Sequence, residues 1–135
     1  MTHTDANVLY ALVDPRQDAR ARCKAALQRL PKPMLTTCFC LTEAMYFAYK
    51  TGGWTRQQML WQLVEDGLLQ VAHLSDAEMQ RMRVLMEKYR DTPMDLADAS
   101  LVALAESRNN PQIFTMDSDF YVYQMNDHTP FLLVP

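Results

Sequence analysis

Four acidic residues of this chain stand among apolar side chains or beside apolar runs: Asp5, Glu43, Asp98 and Asp117. If the fold brings them together, two charges about 4 Å apart repel by on the order of 4 kcal/mol. A shared cation relieves that repulsion, and an all-oxygen ligand set favours magnesium or manganese over zinc. A metal held in this way can activate water for attack on a phosphodiester. The four acids therefore indicate a metal-dependent nuclease chemistry in which water is the nucleophile.

Glu43 gives the strongest of these indications. On a helix, its neighbours three and four residues away are Phe39, Cys40, Tyr46 and Phe47, with no Lys or Arg among them. Burial of an unpaired carboxylate is costly, or forces protonation, unless a cation meets it. The alternative is that Glu43 lies at the rim of the core, where it reaches water or pairs with a distant arginine.

Asp98 lies near the start of a segment, residues 96–105, that is apolar nearly all round and predicts a buried helix. Asp95 is the expected cap of this helix, which should extend to about Ser107. Asp98 then needs a second reason for its place, although the helix dipole also stabilises an acid in the first turn by about 0.3–1 kcal/mol. Both explanations remain open for this residue.

The other two acids flank apolar runs. Asp117 follows residues 113–116, so we expect it just beyond the carboxyl end of a strand. Asp5 precedes the run 8–12, and taken alone it is better explained as the cap of a short helix.

Three polar residues close to the acids are candidates for supporting positions: Asn7, Thr115 and Asp119. Asn7 either orients a carboxylate or ends a turn. Asp119 is either a fifth ligand or a turn residue, and the turn is the preferred interpretation.

Short apolar runs alternate with helical segments along the chain. The predicted strands are Met34–Thr37, Leu69–Ala72, 113–116 and 131–134. Two pairs with capping-box spacing, Thr55 with Gln58 and Ser75 with Glu78, predict helix starts. This order predicts an α/β fold with a mostly parallel sheet covered on both sides. Ligands of such sheets gather beyond the carboxyl ends of the strands, which is where a site is expected.

The bulk properties predict a single domain spanning residues 1–135. Hydrophobic residues make up 49% of the chain and charged residues 21%, a globular composition. The net charge of -3 excludes a global basic field, so contact with nucleic acid must rely on local basic residues or bound cations. Five basic residues are candidates for phosphate contacts, although charges at this density are usually a solvated surface: Lys50, Arg56, Arg81, Arg83 and Arg90.

The three cysteines offer neither a disulfide framework nor a zinc site, which favours a reducing cytoplasm. The chain shows no secretory signal and no apolar stretch long enough for a membrane span. Met79, Met82 and Met86 recur at helical spacing with Leu85. This pattern favours a core face, with a groove for a partner helix as the alternative.

Four stretches of the chain resemble the PIN domain, especially the VapC-type toxins of bacterial and archaeal toxin–antitoxin pairs. They are Asp5-Ala6-Asn7-Val8-Leu9, Thr42-Glu43-Ala44, Pro93-Met94-Asp95-Leu96-Ala97-Asp98-Ala99 and Thr115-Met116-Asp117-Ser118-Asp119-Phe120. The resemblance extends from Asp5 to residues 131–135. One departure is the polar segment 1–4, where the family usually has a hydrophobic strand, so the first strand is short or the true start lies upstream.

The resemblance implies a three-layer α/β/α sandwich around a mostly parallel sheet. It further implies an endoribonuclease that hydrolyses RNA phosphodiester bonds with Mg²⁺, for which Mn²⁺ can substitute. The ligands would be Asp5, Glu43, Asp98 and Asp117, and Asp119 matches a position whose role varies. Such a toxin would have an antitoxin partner and commonly forms a homodimer. The alternative is a non-catalytic module of the same fold that binds protein or RNA.

Overall fold

The computed structural model describes all residues from Met1 to Pro135 and contains seven strands and five α-helices. The strands are β1 (His3–Thr4), β2 (Met34–Thr37), β3 (Leu69–Ala72), β4 (Gln112–Phe114), β5 (Gln124–Met125), β6 (Thr129–Pro130) and β7 (Leu132–Val134). The helices are α1 (Ala6–Val13), α2 (Arg20–Arg29), α3 (Cys38–Glu65), α4 (Asp76–Lys88) and α5 (Leu96–Arg108), with a 3-10 helix at Ser118–Tyr121. None of the α-helices combines the length and apolar character that crossing a bilayer requires.

Five of the strands form one sheet in the order β3-β2-β1-β4-β7, and every pair in it is parallel. Helix α1 contacts both α2 and α3, and α4 packs against α5. The remaining strands, β5 and β6, form a small antiparallel pair. The predicted α/β fold with a helix-covered parallel sheet is therefore confirmed.

The apolar runs located the strands well. Strands β2 and β3 have the predicted bounds, whereas β4 ends at Phe114 instead of residue 116 and β7 begins at Leu132. Pairing nevertheless continues briefly past β4, because the backbone N–H of Thr115 donates to the carbonyl of Val134 at 2.8 Å. The chain then leaves the sheet at the position of Asp117.

The predicted helix starts at Ser75 and Asp95 are confirmed, and the one at Thr55 lies next to a kink inside α3. Ser75 forms the expected capping box with Glu78, and Asp95 caps α5. The third start, near Thr55, coincides with a break in α3, because Gly53 is non-helical and a second helical segment begins just after it. Gly53, at φ 65°, bends α3 just before Thr55, and the helical geometry that resumes after this kink accounts for the start pattern.

Strand β1 is short and polar but occupies the centre of the sheet, between β2 and β4. Thr2, His3 and Thr4 are fully buried. Both threonine hydroxyls have acceptors: Thr2 Oγ1 donates to Gln112 Oε1 at 3.1 Å, and Thr4 Oγ1 donates to the carbonyl of Thr2 at 3.4 Å. The two ring nitrogens of His3 have no hydrogen-bond partner. Burial lowers the pKa of His3 to about 4, assisted by the charges of the N-terminus and Arg108.

We expect His3→Leu to stabilise the protein, because it removes an unsatisfied buried polar group that costs about 1–3 kcal/mol. The gain should be larger near pH 5 than near pH 8. The imidazole takes a proton below pH 6.5 in the unfolded chain but only near pH 4 in the folded one, so its contribution to stability falls as the pH drops through this interval. Urea unfolding at both pH values measures the difference.

His73→Leu is the control for the loss of a histidine, because His73 is exposed. A His3→Leu gain of the same size at both pH values would contradict the buried, neutral imidazole.

Candidate metal centre

Three of the four predicted carboxylates come together at the carboxyl edge of the sheet. Asp5 follows β1, Asp117 follows β4, and Asp98 lies in the first turn of α5. One oxygen from each of the three lies within 4.8 Å of the others. Residues separated by more than ninety positions thus meet because β1 and β4 are neighbours and α5 begins beside their ends.

Asp5 caps α1 and is also the most firmly held of the three acids. Its Oδ1 accepts the backbone N–H of Ala6 at 2.7 Å, and its Oδ2 accepts the hydroxyl of Thr115 at 2.8 Å and the amide of Asn7 at 3.3 Å. The thiol of Cys40 approaches Oδ1 at 4.0 Å. The helix-cap explanation and the cluster explanation are both correct for Asp5.

Asn7 and Thr115 join the segments that carry Asp5 and Asp117. The amide Nδ2 of Asn7 also donates to the hydroxyl of Thr115 at 3.3 Å, and its Oδ1 accepts the backbone N–H of Met116 at 3.2 Å. The backbone N–H of Asp117 donates to the same threonine hydroxyl at 3.0 Å. These bonds fix the loop after β4 against the start of α1.

Asp98 forms a capping box with Asp95, a structural role additional to the two explanations that the sequence left open. The backbone N–H of Asp95 donates to Asp98 Oδ2 at 3.3 Å, and Asp95 accepts the backbone N–H of Asp98 at 2.8 Å. The hydroxyl of Tyr123 also donates to Asp98 Oδ2 at 3.3 Å. Tyr123 was not predicted, because no local spacing links it to the other residues of the centre.

Asp117 is partly buried and caps the 3-10 helix, where its Oδ1 accepts the backbone N–H of Asp119 at 2.9 Å. Asp119 lies in the first turn of that short helix and outside the three-carboxylate cluster. The geometry agrees with the preferred interpretation of Asp119 as a turn residue.

Glu43 lies on α3 beside the centre, outside the cluster of Asp5, Asp98 and Asp117. It is partly buried and has no ion-pair partner. Burial and the charge of Asp95 raise its pKa, and Glu43 in turn contributes to the raised pKa of Asp5. A cleft of about 210 Å³ is lined by both Glu43 and Asn7, so this acid faces the approach to the centre.

The electrostatics of the centre are those of acids that lack a counter-charge. Burial raises the pKa of Asp5 to about 6, with further contributions from Glu43 and Asp117. Burial also raises the pKa of Asp98, and Asp95, Asp5 and Asp117 add to the effect. Burial raises the pKa of the nearby Cys40 thiol, which favours its neutral form. The donor set is therefore carboxylate oxygen, which fits a hard divalent cation.

The basic residues proposed from the sequence as phosphate contacts are largely engaged elsewhere. Arg81 pairs with Glu106 and Asp127, Arg56 with Asp14, and Arg83 with Glu87. Arg90 donates to the carbonyl of Glu87, and Lys50 lies over the ring of Tyr46. The basic residue next to the centre is instead Arg22, which lines a cleft together with Asp117 and was missed in the sequence.

Comparisons with known proteins agree with this geometry. The family model described as the PIN domain matches residues 4–124. VapC20 from Mycobacterium tuberculosis, described as a sarcin-ricin loop cleaving toxin, superposes with a TM-score of 0.85 at 14% identity, covering 96% of this chain and 100% of that one. A toxin–antitoxin complex from Klebsiella pneumoniae gives a TM-score of 0.72 at 20% identity, covering 97% and 98%.

VapBC2 from Rickettsia felis, bound to a DNA fragment from their promoter, gives a TM-score of 0.69 at 12% identity and covers 100% of both chains. At identities this low, the three structures show a shared fold alone. A search by sequence among curated proteins gives no significant match.

Without metal, we expect Asp98→Asn to stabilise the protein near pH 8 by on the order of 1–3 kcal/mol and to have little effect near pH 4. The reason is the raised pKa of Asp98: the folded state keeps this proton over a range where the unfolded chain, with its ordinary value of 3.8, has lost it. The contribution of Asp98 to stability therefore declines as the pH rises from about 4. Urea unfolding in EDTA measures it.

Asp66→Asn, at an exposed position on the same protein, is the matched control. An Asp98→Asn variant no more stable than the wild type at either pH would contradict the proposed repulsion.

Proposed function

Because the chain belongs to the PIN domain family, we propose that it is a metal-dependent endoribonuclease and the toxin of a VapBC-type toxin–antitoxin pair. One observation carries this proposal: the carboxylate oxygens of Asp5, Asp98 and Asp117 lie within 4.8 Å of one another with no cationic side chain among them. The same buried cluster argues against a non-catalytic module, since such a module gains nothing from the repulsion. The similarity to VapC20, a sarcin-ricin loop cleaving toxin, supports RNA as the substrate.

In this proposal, Asp5, Asp98 and Asp117 hold Mg²⁺, and Mn²⁺ can replace it. When bound, the cation lowers the pKa of a water molecule and offsets negative charge on the phosphodiester. The protein contributes the orientation of the ligands. Thr115 and Asn7 hold one oxygen of Asp5, and Tyr123 holds one oxygen of Asp98, so that few side-chain rotations remain to be restricted when the substrate binds.

We assign Glu43 the role of the fourth acid, next to the cluster rather than inside it. The pKa of Glu43 is raised toward neutral pH, which suits a group that accepts a proton from the attacking water. Its position on a cleft shared with Asn7 leaves it open to solvent and substrate. The ligand role that the sequence resemblance implies for Glu43 is the alternative.

We expect the wild type to cleave RNA with Mg²⁺, EDTA to abolish cleavage, and Asp98→Asn to lower the rate by at least about 100-fold, because a ligand is lost. Gel analysis of labelled RNA fragments measures the rates. Asp66→Asn is the control for removal of a carboxylate. Cleavage that survives both EDTA and Asp98→Asn would rule out this mechanism.

In the same series, Glu43→Gln should lower the maximum cleavage rate by about 100-fold. The Mg²⁺ concentration at which the rate is half-maximal should not change. A higher Mg²⁺ requirement would instead make Glu43 a metal ligand.

We place the antitoxin on an apolar cleft of about 520 Å³ beside the centre, lined by Phe39, Tyr46 and Leu96 and bordered by Glu43. Tyr46 is 60% exposed, which is a large apolar surface to leave in water. A partner segment seated there would cover the approach to Glu43. The structural neighbours from Klebsiella and Rickettsia, described as a toxin–antitoxin complex and as VapBC2, support a partner of this kind. A homodimer in the cytoplasm remains the expected state of the free toxin.

The methionine pattern on α4 gives a second expectation for partners. Met82 and Leu85 are buried in the core, as the favoured interpretation predicted, whereas Met79 is 41% exposed. Met86 is partly buried, so Met79 is the most exposed part of the face that could meet a second copy of the chain.

Tyr46→Ser should weaken binding of the antitoxin encoded by the adjacent reading frame by at least about tenfold, because a large exposed aromatic contact is lost. Tyr49→Ser is the matched control, since Tyr49 is a similarly exposed tyrosine of α3 that does not line the cleft. Calorimetry measures both affinities, and light scattering gives the oligomeric state. Equal effects of the two substitutions would contradict this docking site.

A further inference from the structure

A third cleft lies at the carboxyl ends of β4 and β7, and none of its lining residues belongs to α3 or α5. Its volume is about 200 Å³, and its walls include Arg22, Asp117, Ser118, Tyr121 and Val134. Pockets that enclose whole ligands typically measure about 300–1,000 Å³, so this cleft has the size of a subsite. It shares Asp117 with the metal centre, so a molecule bound in it would lie next to that centre.

Arg22 is the cation of this cleft and is not neutralised. It is exposed, and no carboxylate lies within 4.0 Å of its guanidinium although Asp117 lines the same cleft. In contrast, Arg16, Arg56, Arg81 and Arg83 all have ion-pair partners. A guanidinium left without a carboxylate is suited to bind a phosphate.

The surroundings of Arg22 extend the positive charge. Residues 16–32 contain six of the 13 Lys and Arg residues of the chain and a single acid, Asp18. Five of the six carry no ion pair: Arg20, Arg22, Lys24, Arg29 and Lys32. A protein with a net charge of -3 therefore presents a locally basic helix, α2, next to its acidic centre. Such a local field attracts a polyanion that must reach carboxylates.

Tyr121 is the aromatic residue of the cleft. It lies in the 3-10 helix that Asp117 caps, and 73% of it is exposed. Proteins that bind single-stranded nucleic acid combine such exposed rings, on which bases stack, with basic grooves that follow the backbone. Tyr121 and Arg22 supply these two parts on the walls of one cleft.

We propose that this cleft binds the nucleotide next to the phosphodiester that is cut, with Arg22 on its phosphate and Tyr121 against its base. The inference rests on the proposed function, since it assumes that the substrate occupies the carboxylate centre. A nucleotide accounts for the unpaired guanidinium and the exposed ring together, whereas an acidic peptide would account for the guanidinium alone. Sequence preference at this position would then arise from stacking strength.

The test measures RNA binding separately from cleavage. Fluorescence anisotropy in EDTA follows the wild type, Arg22→Gln and Tyr121→Ser with a labelled single-stranded RNA of about ten nucleotides and with an abasic oligomer of the same length. Arg22→Gln should weaken both complexes at least about fivefold and lower the salt slope by about 0.7. Tyr121→Ser should weaken only the RNA complex, by at least about fivefold.

Arg83→Gln and Tyr49→Ser are matched controls, since both residues are exposed and neither lines the cleft. We expect both to bind like the wild type. Thermal midpoints check that all variants fold, which their exposed positions favour.

Cleavage of the same RNA with Mg²⁺ separates the two proposals. A wild type that cleaves, with Arg22→Gln and Tyr121→Ser variants that bind and cleave equally well, overturns the subsite alone. A wild type that never cleaves but loses RNA binding with both substitutions overturns the nuclease and supports the nucleotide cleft. Unchanged RNA binding combined with weakened binding of an acidic peptide overturns the nucleotide and favours a protein ligand. A wild type that neither binds nor cleaves RNA overturns both.

Discussion

Mutual repulsion between Asp5, Asp98 and Asp117 is the constraint around which the carboxyl edge of the sheet is built. Uncharged hydrogen-bond donors hold these carboxylates in place without cancelling their charge. The donors are backbone N–H groups at helix starts, the hydroxyls of Thr115 and Tyr123, and the amide of Asn7. Each acid is thus a helix cap or part of a capping box as well as a candidate ligand. The geometry of the centre is fixed by the same bonds that begin three helices.

Asp14 shows how the same chain treats a buried carboxylate outside the centre. Arg16 lies 3.2 Å from it and Arg56 lies 3.6 Å from it. The hydrogen bond from Arg16 holds the pKa of Asp14 well below its usual range, the opposite of the direction seen at Asp5. Arginine is therefore available to pair buried acids in this protein. Its exclusion from the centre is a specific property of that site, consistent with a place kept for a metal ion and a phosphodiester.

The sequence predicted those parts of the structure that follow from local pattern. Apolar runs located β2 and β3, and the acids at strand ends and in the apolar α5 predicted where the centre lies. Strand β1 could not be predicted in this way, because its buried threonine and histidine do not form an apolar run. Tyr123 and Arg22 were missed for a different reason. Only the tertiary fold brings Tyr123 to Asp98 and Arg22 to the cleft of Asp117, and no spacing along the chain indicates either. Glu43 was correctly found to lack a basic partner, but its distance from the cluster could not be read from a helix face.

The distribution of cysteines provides a native attachment point for spectroscopic labels. Cys38, the first residue of α3, is exposed, whereas Cys23 and Cys40 are buried with raised thiol pKa values. Maleimide reagents react with accessible thiolates, so a fluorophore or spin label would attach at Cys38 without any engineered substitution. Cys38 is two residues from Cys40, whose thiol faces Asp5. A label there would report, by distance or polarity, on what enters and leaves the carboxyl edge of the sheet.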